Sequence, residues 1–329
     1  MSNKKDILQN HISDAKNTLR LLLTKKCNLR CSYCYEEGLE NSTNNTNQEL
    51  DLEDFKKIIQ SAKTLGVYRI SFSGGEPTIL EDWLDDLIGT CVNLKIIPTI
   101  TTNGTSDSII MMAKKYPELR IRFSLDFCNS DDYLKYKGVD CFNKVLNNLK
   151  KLSSLPNEIN INRIVFSLGN EWREFNEMIN FLHNNNLVKD NIFLKLLPSY
   201  PNKDFNKLSV KDLCDYFSDK GIVFGQKDDK LRNKSKLSFV YKGVNVLVQN
   251  RGVYSPKCCV NGKRCPEGIG SIRINPSGII QPCFHVVGKK ILHGDNADQI
   301  SQAIKESQIF LDSLYSDAYK TSDEILNLL

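Results

Sequence analysis

Six short β-branched or apolar runs, separated by longer segments of helical period, occupy the stretch from Thr18 to Leu197. This alternation limits the fold more than any other feature of the chain. Strands are expected at Arg20–Leu23, Tyr68–Phe72, Lys95–Thr101, Arg120–Leu125, Ile159–Phe166 and Ile192–Leu197. Helices are expected at Asp51–Ala62, Glu81–Cys91, Ser106–Lys115, Phe142–Leu152 and Glu171–Asn184. Repeated strand–helix–strand units imply a parallel sheet with right-handed crossovers. About 180 residues are too few for a closed eight-unit barrel, which takes about 250, so the expected class is α/β with a partial (β/α)6 barrel. Chemistry in such folds gathers where the strands end. The sequence places Cys27 to Cys34 after the first strand, Ser73 to Pro77 after the second, Thr102 to Gly104 after the third and Ser124 to Asp126 at the fourth.

Beyond Pro198 the alternation stops. A helix is expected at Val210–Lys220, a lysine-rich polar stretch follows at Lys227–Lys236, and Phe239–Val248 reads as one strand. The segment Cys258 to Cys283 surrounds an expected hairpin, Ser271–Ile274 and Ile279–Pro282, turned by Asn275-Pro276-Ser277-Gly278. A last helix is expected at Ala297–Leu314. The chain thus divides into an extension at 1–17, a core at 18–197, a C-terminal auxiliary subdomain at 198–295 and a helical tail at 296–329.

With 329 residues, 40% hydrophobic and 25% charged, the chain can bury a sizeable core and has room for at most two modules. Its 44 basic and 39 acidic residues give a net charge of +5 without a basic block, which slightly favours an anionic substrate and argues against nucleic acid as a partner. No apolar run approaches the roughly 18 residues of a membrane span. The start lacks the apolar stretch of a signal peptide, so the expected location is cytoplasmic, with no membrane partner. In that reducing compartment eleven cysteines, an odd number, point to metal or redox chemistry rather than to disulfides. Cys91, Cys128, Cys141 and Cys214 read as buried small residues.

Cys27, Cys31 and Cys34 stand in CNLRCSYC on the loop leaving the first strand. Three thiolates this close can hold three irons of a [4Fe-4S] cube and leave the fourth open, whereas structural zinc usually needs another Cys or His nearby. Zinc remains the alternative. The spacing, with an aromatic residue before the last cysteine, resembles the signature of the radical S-adenosylmethionine (radical SAM) superfamily. Ser73-Gly74-Gly75-Glu76-Pro77 resembles that family's second-strand motif, and Thr101-Thr102-Asn103-Gly104 and Ser124-Leu125-Asp126 its third and fourth. The resemblance implies that the three cysteines are catalytic and carry the SAM-binding [4Fe-4S] cluster. It also implies that Gly74, Gly75, Glu76 and Pro77 receive the methionine ammonium. Thr102, Asn103, Ser124 and Asp126 would lie near the ribose and methionine carboxylate, and Tyr33 near the adenine. Glycines permit close backbone approach and a carboxylate complements an ammonium, although each motif alone is also a common turn or helix cap. Asn162, Arg163 and Asn170 are further cofactor candidates, weighed against ordinary sheet-edge polarity.

Cys258, Cys259, Cys265 and Cys283 form a second group, with C-x12-G-x4-C running from Cys265 to Cys283. This resembles the opening of a SPASM domain in the shortened Twitch form, since no cysteine follows Cys283. The resemblance implies a second, auxiliary [4Fe-4S] cluster completed by Cys258 or Cys259, with His285 a weaker ligand candidate. A structural zinc knuckle is the alternative.

Together these resemblances imply an oxidoreductase or cyclase that reductively cleaves S-adenosylmethionine to a 5′-deoxyadenosyl radical and takes hydrogen from a substrate. An external one-electron donor such as flavodoxin or ferredoxin is implied as well. The architecture is similar to the GTP 3′,8-cyclases of molybdenum-cofactor synthesis. That family ends in Gly-Gly, whereas this sequence ends Asn327-Leu328-Leu329. The residues before Thr18 are too few for a peptide-recognition module. The expected substrate is therefore a small polar metabolite or nucleotide. The alternatives are a ribosomally synthesised peptide, or a non-catalytic protein organised by zinc.

Overall fold

Leu19, Leu21 and Leu23, Ile70 and Phe72, Ile121 and Phe123, and Ile159 and Ile161 recur at every second position of their strands, and all join one buried apolar cluster with helix residues. The side chains between them, mostly polar, face the other side of the sheet. The computed structural model describes residues 18–34, 49–199, 208, 210–226, 236–249, 272–281 and 287–320. Within it β1 (Thr18–Thr24), β2 (Arg69–Gly74), β3 (Ile97–Thr102), β4 (Arg120–Ser124), β5 (Ile159–Val165) and β6 (Ile192–Pro198) lie side by side in chain order, all parallel. This is the expected α/β partial barrel.

Among the described residues, five further strands lengthen the same sheet: β7 (Gly225–Gln226), β8 (Lys236–Tyr241), β9 (Val244–Gln249), β10 (Ile272–Ile274) and β11 (Ile280–Gln281). The full order is β11-β10-β1-β2-β3-β4-β5-β6-β9-β8-β7. β10 runs parallel to β1, with Arg273 beside Arg20, and β9 runs parallel to β6. Strands from the region beyond Pro198 therefore extend both edges of the barrel sheet.

Among the described residues the helices are α1 (Leu52–Thr64), α2 (Glu81–Asn93), α3 (Ser108–Lys115), α4 (Ser130–Lys137), α5 (Phe142–Leu152), α6 (Glu171–Asn184), α7 (Val210–Asp219) and α8 (Ala297–Lys320). Their buried faces follow helical period, as in Phe142, Val145, Leu149 and Leu152 of α5. α1 starts at a reciprocal cap, in which the Asp51 and Asp54 side chains each accept the other's backbone N–H.

The sequence reading differs from the structure at several points. α4 was not expected, because its buried residues are only Tyr133 and Lys137 and give no apolar period. The expected single strand Phe239–Val248 is a hairpin. Lys242 and Gly243 both take positive φ, 47° and 76°, so the chain reverses between β8 and β9 in a tight turn. α8 runs to Lys320, beyond the expected end at Leu314. Cys91 is buried as expected, but Cys128, Cys141 and Cys214 are half-buried.

The segment before α8 is held onto α1. Nδ1 of His293 lies 2.7 Å from Oδ2 of buried Asp54, and the Gly294 N–H donates to Oδ1 at 3.1 Å. The hydrogen bond and charge of Asp54 raise the pKa of His293 above its ordinary 6.5. Burial works against the Asp54 charge, but the His293 and backbone bonds hold its carboxyl below the usual value. A raised histidine pKa gives stability that is complete below 6.5 and lost as pH rises through the folded value. The lowered Asp54 gives stability lost only when pH falls through its own folded value. Thermal melts of the parent and His293→Ala are therefore expected to differ most near about pH 5.5 and to converge toward about pH 9. Parallel pH profiles would contradict this.

Candidate active site

The loop from Lys25 to Cys34 leaves β1 and is fixed on three sides. Against α4, the Arg30 N–H donates to Lys137 O and the Ser32 N–H to Tyr136 O, each at 2.9 Å. Against the β3 end, Asn28 donates to Thr105 Oγ1 at 2.7 Å, and Asn103 donates to Asn28 Oδ1 at 2.8 Å. Against the β2 end, the Gly75 N–H donates to Thr24 O at 2.7 Å and the Glu76 N–H to Lys26 O at 2.9 Å. A Cβ on Gly75 would stand 2.1 Å from Lys26 O, and one on Gly74, at φ +131°, 2.3 Å from Thr24 O. The glycine pair is thus required by contact with the end of β1, at Gly74, and with the cysteine loop that follows it, at Gly75.

Cys27, Cys31 and Cys34 line a cavity of about 270 Å³ at the C-terminal edge of the strands. Burial raises the Cys27 pKa and pushes Cys31 up to about 12. Binding of a metal centre at these thiols would therefore have to displace protons.

Glu76 is 1% exposed. Its Oε1 accepts from Thr78 N–H, Thr78 Oγ1 and Thr102 Oγ1, at 3.1, 2.7 and 2.8 Å, and Oε2 accepts from Asn103 N–H at 2.7 Å. Burial nevertheless keeps its pKa above the usual carboxyl value. Asp126 is also buried. Its Oδ2 accepts from Tyr33 Oη at 2.6 Å and Lys137 Nζ at 2.7 Å, while Oδ1 accepts from Ile164 N–H at 2.8 Å. Burial opposes the Asp126 charge, but Lys137 and these hydrogen bonds hold its pKa below the ordinary value. The Tyr33 ring packs against Phe166, with centroids 4.9 Å apart.

Of the expected residues, Tyr33, Gly74, Gly75, Glu76, Thr102, Asn103, Ser124, Asp126 and Asn162 line the cavity with the three thiols. Pro77 is buried at the start of a short 3-10 turn and is not part of the lining. Arg163 is also elsewhere, forked onto Glu171 at 2.6 and 3.1 Å and onto Glu174 at 3.2 Å. Strand parity gives the reason, since Asn162 and Arg163 are neighbours on β5 and cannot face the same side. Asn170 lies outside the lining, at the start of α6. Cys258, Cys259, Cys265, Cys283 and His285 fall outside the described residues.

Arg20, Arg122, Lys137, Lys195 and Arg273 line the same cavity and were not among the candidates. Parity would have found four of them, because Arg20, Arg122 and Lys195 alternate with apolar neighbours and Arg273 stands between Ile272 and Ile274. Ser73 Oγ and Asn162 Oδ1 are buried at this wall without a hydrogen-bond partner.

Gly75→Ala is expected to destabilise the protein by about 2 to 3 kcal/mol in urea denaturation, since backbone is what its Cβ strikes. Gly169→Ala, whose Cβ would come no closer than 3.7 Å to Ser167 Oγ, should change stability by no more than about 0.5 kcal/mol. Equal effects would contradict the contact argument.

The family model for the radical SAM superfamily matches residues 21–182, from β1 into α6. A GTP 3′,8-cyclase of Clostridium botulinum is 31% identical over 277 residues, covering 82% of this chain and 81% of its own length. A crystal structure of Streptococcus suis SuiB bound to S-adenosylmethionine aligns with a TM-score of 0.59 at 19% identity, covering 89% of this chain and 69% of SuiB. SuiB bound to its precursor peptide SuiA gives the same TM-score and identity, covering 96% and 70%. At that identity the SuiB likeness speaks to fold alone. The family match takes in the cysteine loop and every strand end that closes on it, and the relative's identity extends across most of both chains. The chain therefore belongs to the radical SAM superfamily of enzymes.

Proposed function

We propose that this enzyme reductively cleaves S-adenosylmethionine and takes a hydrogen atom from a small anionic metabolite or nucleotide bound inside the barrel. One observation carries the reading: three thiols and a group of cationic side chains line a single cavity. Among the described residues, five positive side chains, Arg20, Arg122, Lys137, Lys195 and Arg273, line it with two carboxylates, Glu76 and Asp126. Asp126 is already engaged by Lys137. Cationic side chains gathered in one cavity favour an anionic ligand. A curated relative bearing the name GTP 3′,8-cyclase supports a nucleotide-like substrate.

The donor set fits the cluster that the superfamily carries. Among the described residues, only Asp51, Asp54 and His293 bring three ligand atoms all within 4.8 Å of one another. At least one pair of the three thiols is therefore more than 4.8 Å apart, wider than the roughly 3.8 Å between sulfurs on one tetrahedral zinc with bonds of about 2.3 Å. Thiols on separate irons of a cube need not lie that close. When bound, cluster and cofactor supply the electron transfer and the 5′-deoxyadenosyl radical.

The chain's own residues bind and orient. Cys27, Cys31 and Cys34 hold the cluster. The orphaned Ser73 Oγ and Asn162 Oδ1 offer polar contacts to the cofactor. Glu76 Oε2, with a single hydrogen bond, keeps acceptor capacity for the methionine ammonium. Thr102, Asn103 and Ser124 line the wall for its ribose and carboxylate. Tyr33, with Phe166 behind it, gives an aromatic face for adenine. Asp126 acts through Tyr33 and Lys137.

We assign the second cluster to Cys265, Cys283 and one of Cys258 and Cys259 in the region 198–295, with 18–197 as the catalytic core, 1–17 an extension and 296–329 a helical tail. The hairpin between Cys265 and Cys283 in the sequence, β10 and β11, is hydrogen-bonded to β1 and so to the strand that carries the first cluster loop. Superfamily membership brings a need for a one-electron donor, here proposed as a flavodoxin or ferredoxin. No helix among the described residues is long and apolar enough to cross a membrane, and a cytoplasmic location follows the thiol-rich sequence.

Anaerobically reconstituted protein is expected to hold about eight irons, and replacing Cys27, Cys31 and Cys34 by Ala should remove about half. Stoichiometric zinc with only about four irons would contradict the second cluster. Under reducing turnover with S-adenosylmethionine, a panel of phosphorylated metabolites including GTP is expected to give a new product. Arg122→Ala should then raise KM about tenfold and weaken its salt dependence. A product formed only from peptides would overturn the substrate assignment.

A further inference from the structure

A lysine in the last turn of a helix ordinarily reaches solvent, but Lys137 is 2% exposed. Its Nζ lies 2.7 Å from Asp126 Oδ2, and 5.5 and 5.3 Å from the ring centroids of Tyr33 and Tyr133. The backbone on both sides of Cys31 is tied to the same helix end, through Arg30 N–H to Lys137 O and Ser32 N–H to Tyr136 O. Cation and thiol therefore stand on facing segments whose separation is fixed by two hydrogen bonds. The helix does not need the charge to terminate, because Gly138 at φ +74° caps it with an N–H to Leu134 O. An apolar residue of similar volume would avoid burying an ion pair at all. Lys137 and Cys31 also line the same cavity.

We propose that Lys137 is a positioning residue that sets the charge field of the site: held in place by Asp126, it keeps a positive potential at Cys31 and favours the more negative, one-electron-reduced state of the cluster on this loop. The electron comes from the external donor already named, and Lys137 changes only the equilibrium. The inference rests on reading Cys27, Cys31 and Cys34 as cluster ligands. With an effective dielectric of about 20, removing one charge several ångströms away should shift such an equilibrium about tenfold.

The test compares the full chain, reconstituted anaerobically, with Lys137→Met, Lys137→Arg and the double variant Asp126→Asn/Lys137→Met. A mediator titration follows the cluster whose electron-paramagnetic-resonance signal changes on adding S-adenosylmethionine. At a fixed applied potential the reduced-to-oxidised ratio is expected to fall about tenfold in Lys137→Met and to stay within about threefold of the parent in Lys137→Arg. The double variant should lie between the parent and Lys137→Met, because the Asp126 charge is removed too. Iron retained in Lys137→Met with the parental ratio overturns the proposal. If Lys137→Met does not retain iron, the double variant decides by the same ratio, lowered in support and parental against. Loss of iron from both also overturns it, since Lys137 would then build the loop rather than set its field. A parent that binds no iron instead overturns the cluster reading, and this inference with it.

Discussion

The close approach of two loops, made possible by two residues without side chains, is the constraint on which the site depends. Gly74 and Gly75 let the end of β2 lie against the loop leaving β1, where any Cβ would meet carbonyl oxygens at 2.3 and 2.1 Å. The contact orients the Gly75 and Glu76 N–H groups onto Thr24 and Lys26. It also carries Glu76 inward, where its carboxylate gathers the β3 end through Thr102 and Asn103. Asn103 in turn reaches back to Asn28 in the cysteine loop. Three strand ends are thus joined in a closed circuit of hydrogen bonds, and the thiols take their places from it.

The inner wall of the barrel follows from a simpler rule. Alternation along each strand sends apolar residues to the helices and leaves Arg20, Ser71, Arg122, Asn162 and Lys195 for the interior. Arg122 crosses over β3 to donate to Ser71 Oγ at 3.1 Å. The interior is consequently a polar, cationic chamber rather than a second apolar core, and it opens at the edge where the cysteines stand. On the proposed function, the cofactor residues and the cations that would receive an anionic substrate share this one chamber.

The six parallel strands, most helices and the motif residues at the strand ends were legible because each has a local signature: a run of branched residues, an apolar period, or thiols at short spacing. α4 had none. Its inward residues are a tyrosine and a lysine, and the lysine is paired there with Asp126, eleven positions earlier in the chain. Arg163 was misjudged because identity was considered without parity, although the residue before it, Asn162, does face the cavity. The β8–β9 turn was overlooked because Tyr241-Lys242-Gly243-Val244 is flanked by apolar runs that read as continuous, when the positive φ of Lys242 and Gly243 is what divides them. The cations of the chamber were missed for the opposite reason: each is ordinary alone, and only the closing of the sheet brings β1, β4, β6 and β10 onto one cavity.

The central claim is that this chamber binds S-adenosylmethionine at the thiol loop and cleaves it reductively. The most direct measurement is quantification of 5′-deoxyadenosine after anaerobic incubation of the iron-loaded, dithionite-reduced protein with S-adenosylmethionine alone. The account predicts that the nucleoside accumulates in the parent and is absent when Cys27, Cys31 and Cys34 are all replaced by Ala. Iron-loaded, reduced parent that releases no 5′-deoxyadenosine, or a triple variant that releases as much as the parent, would contradict it.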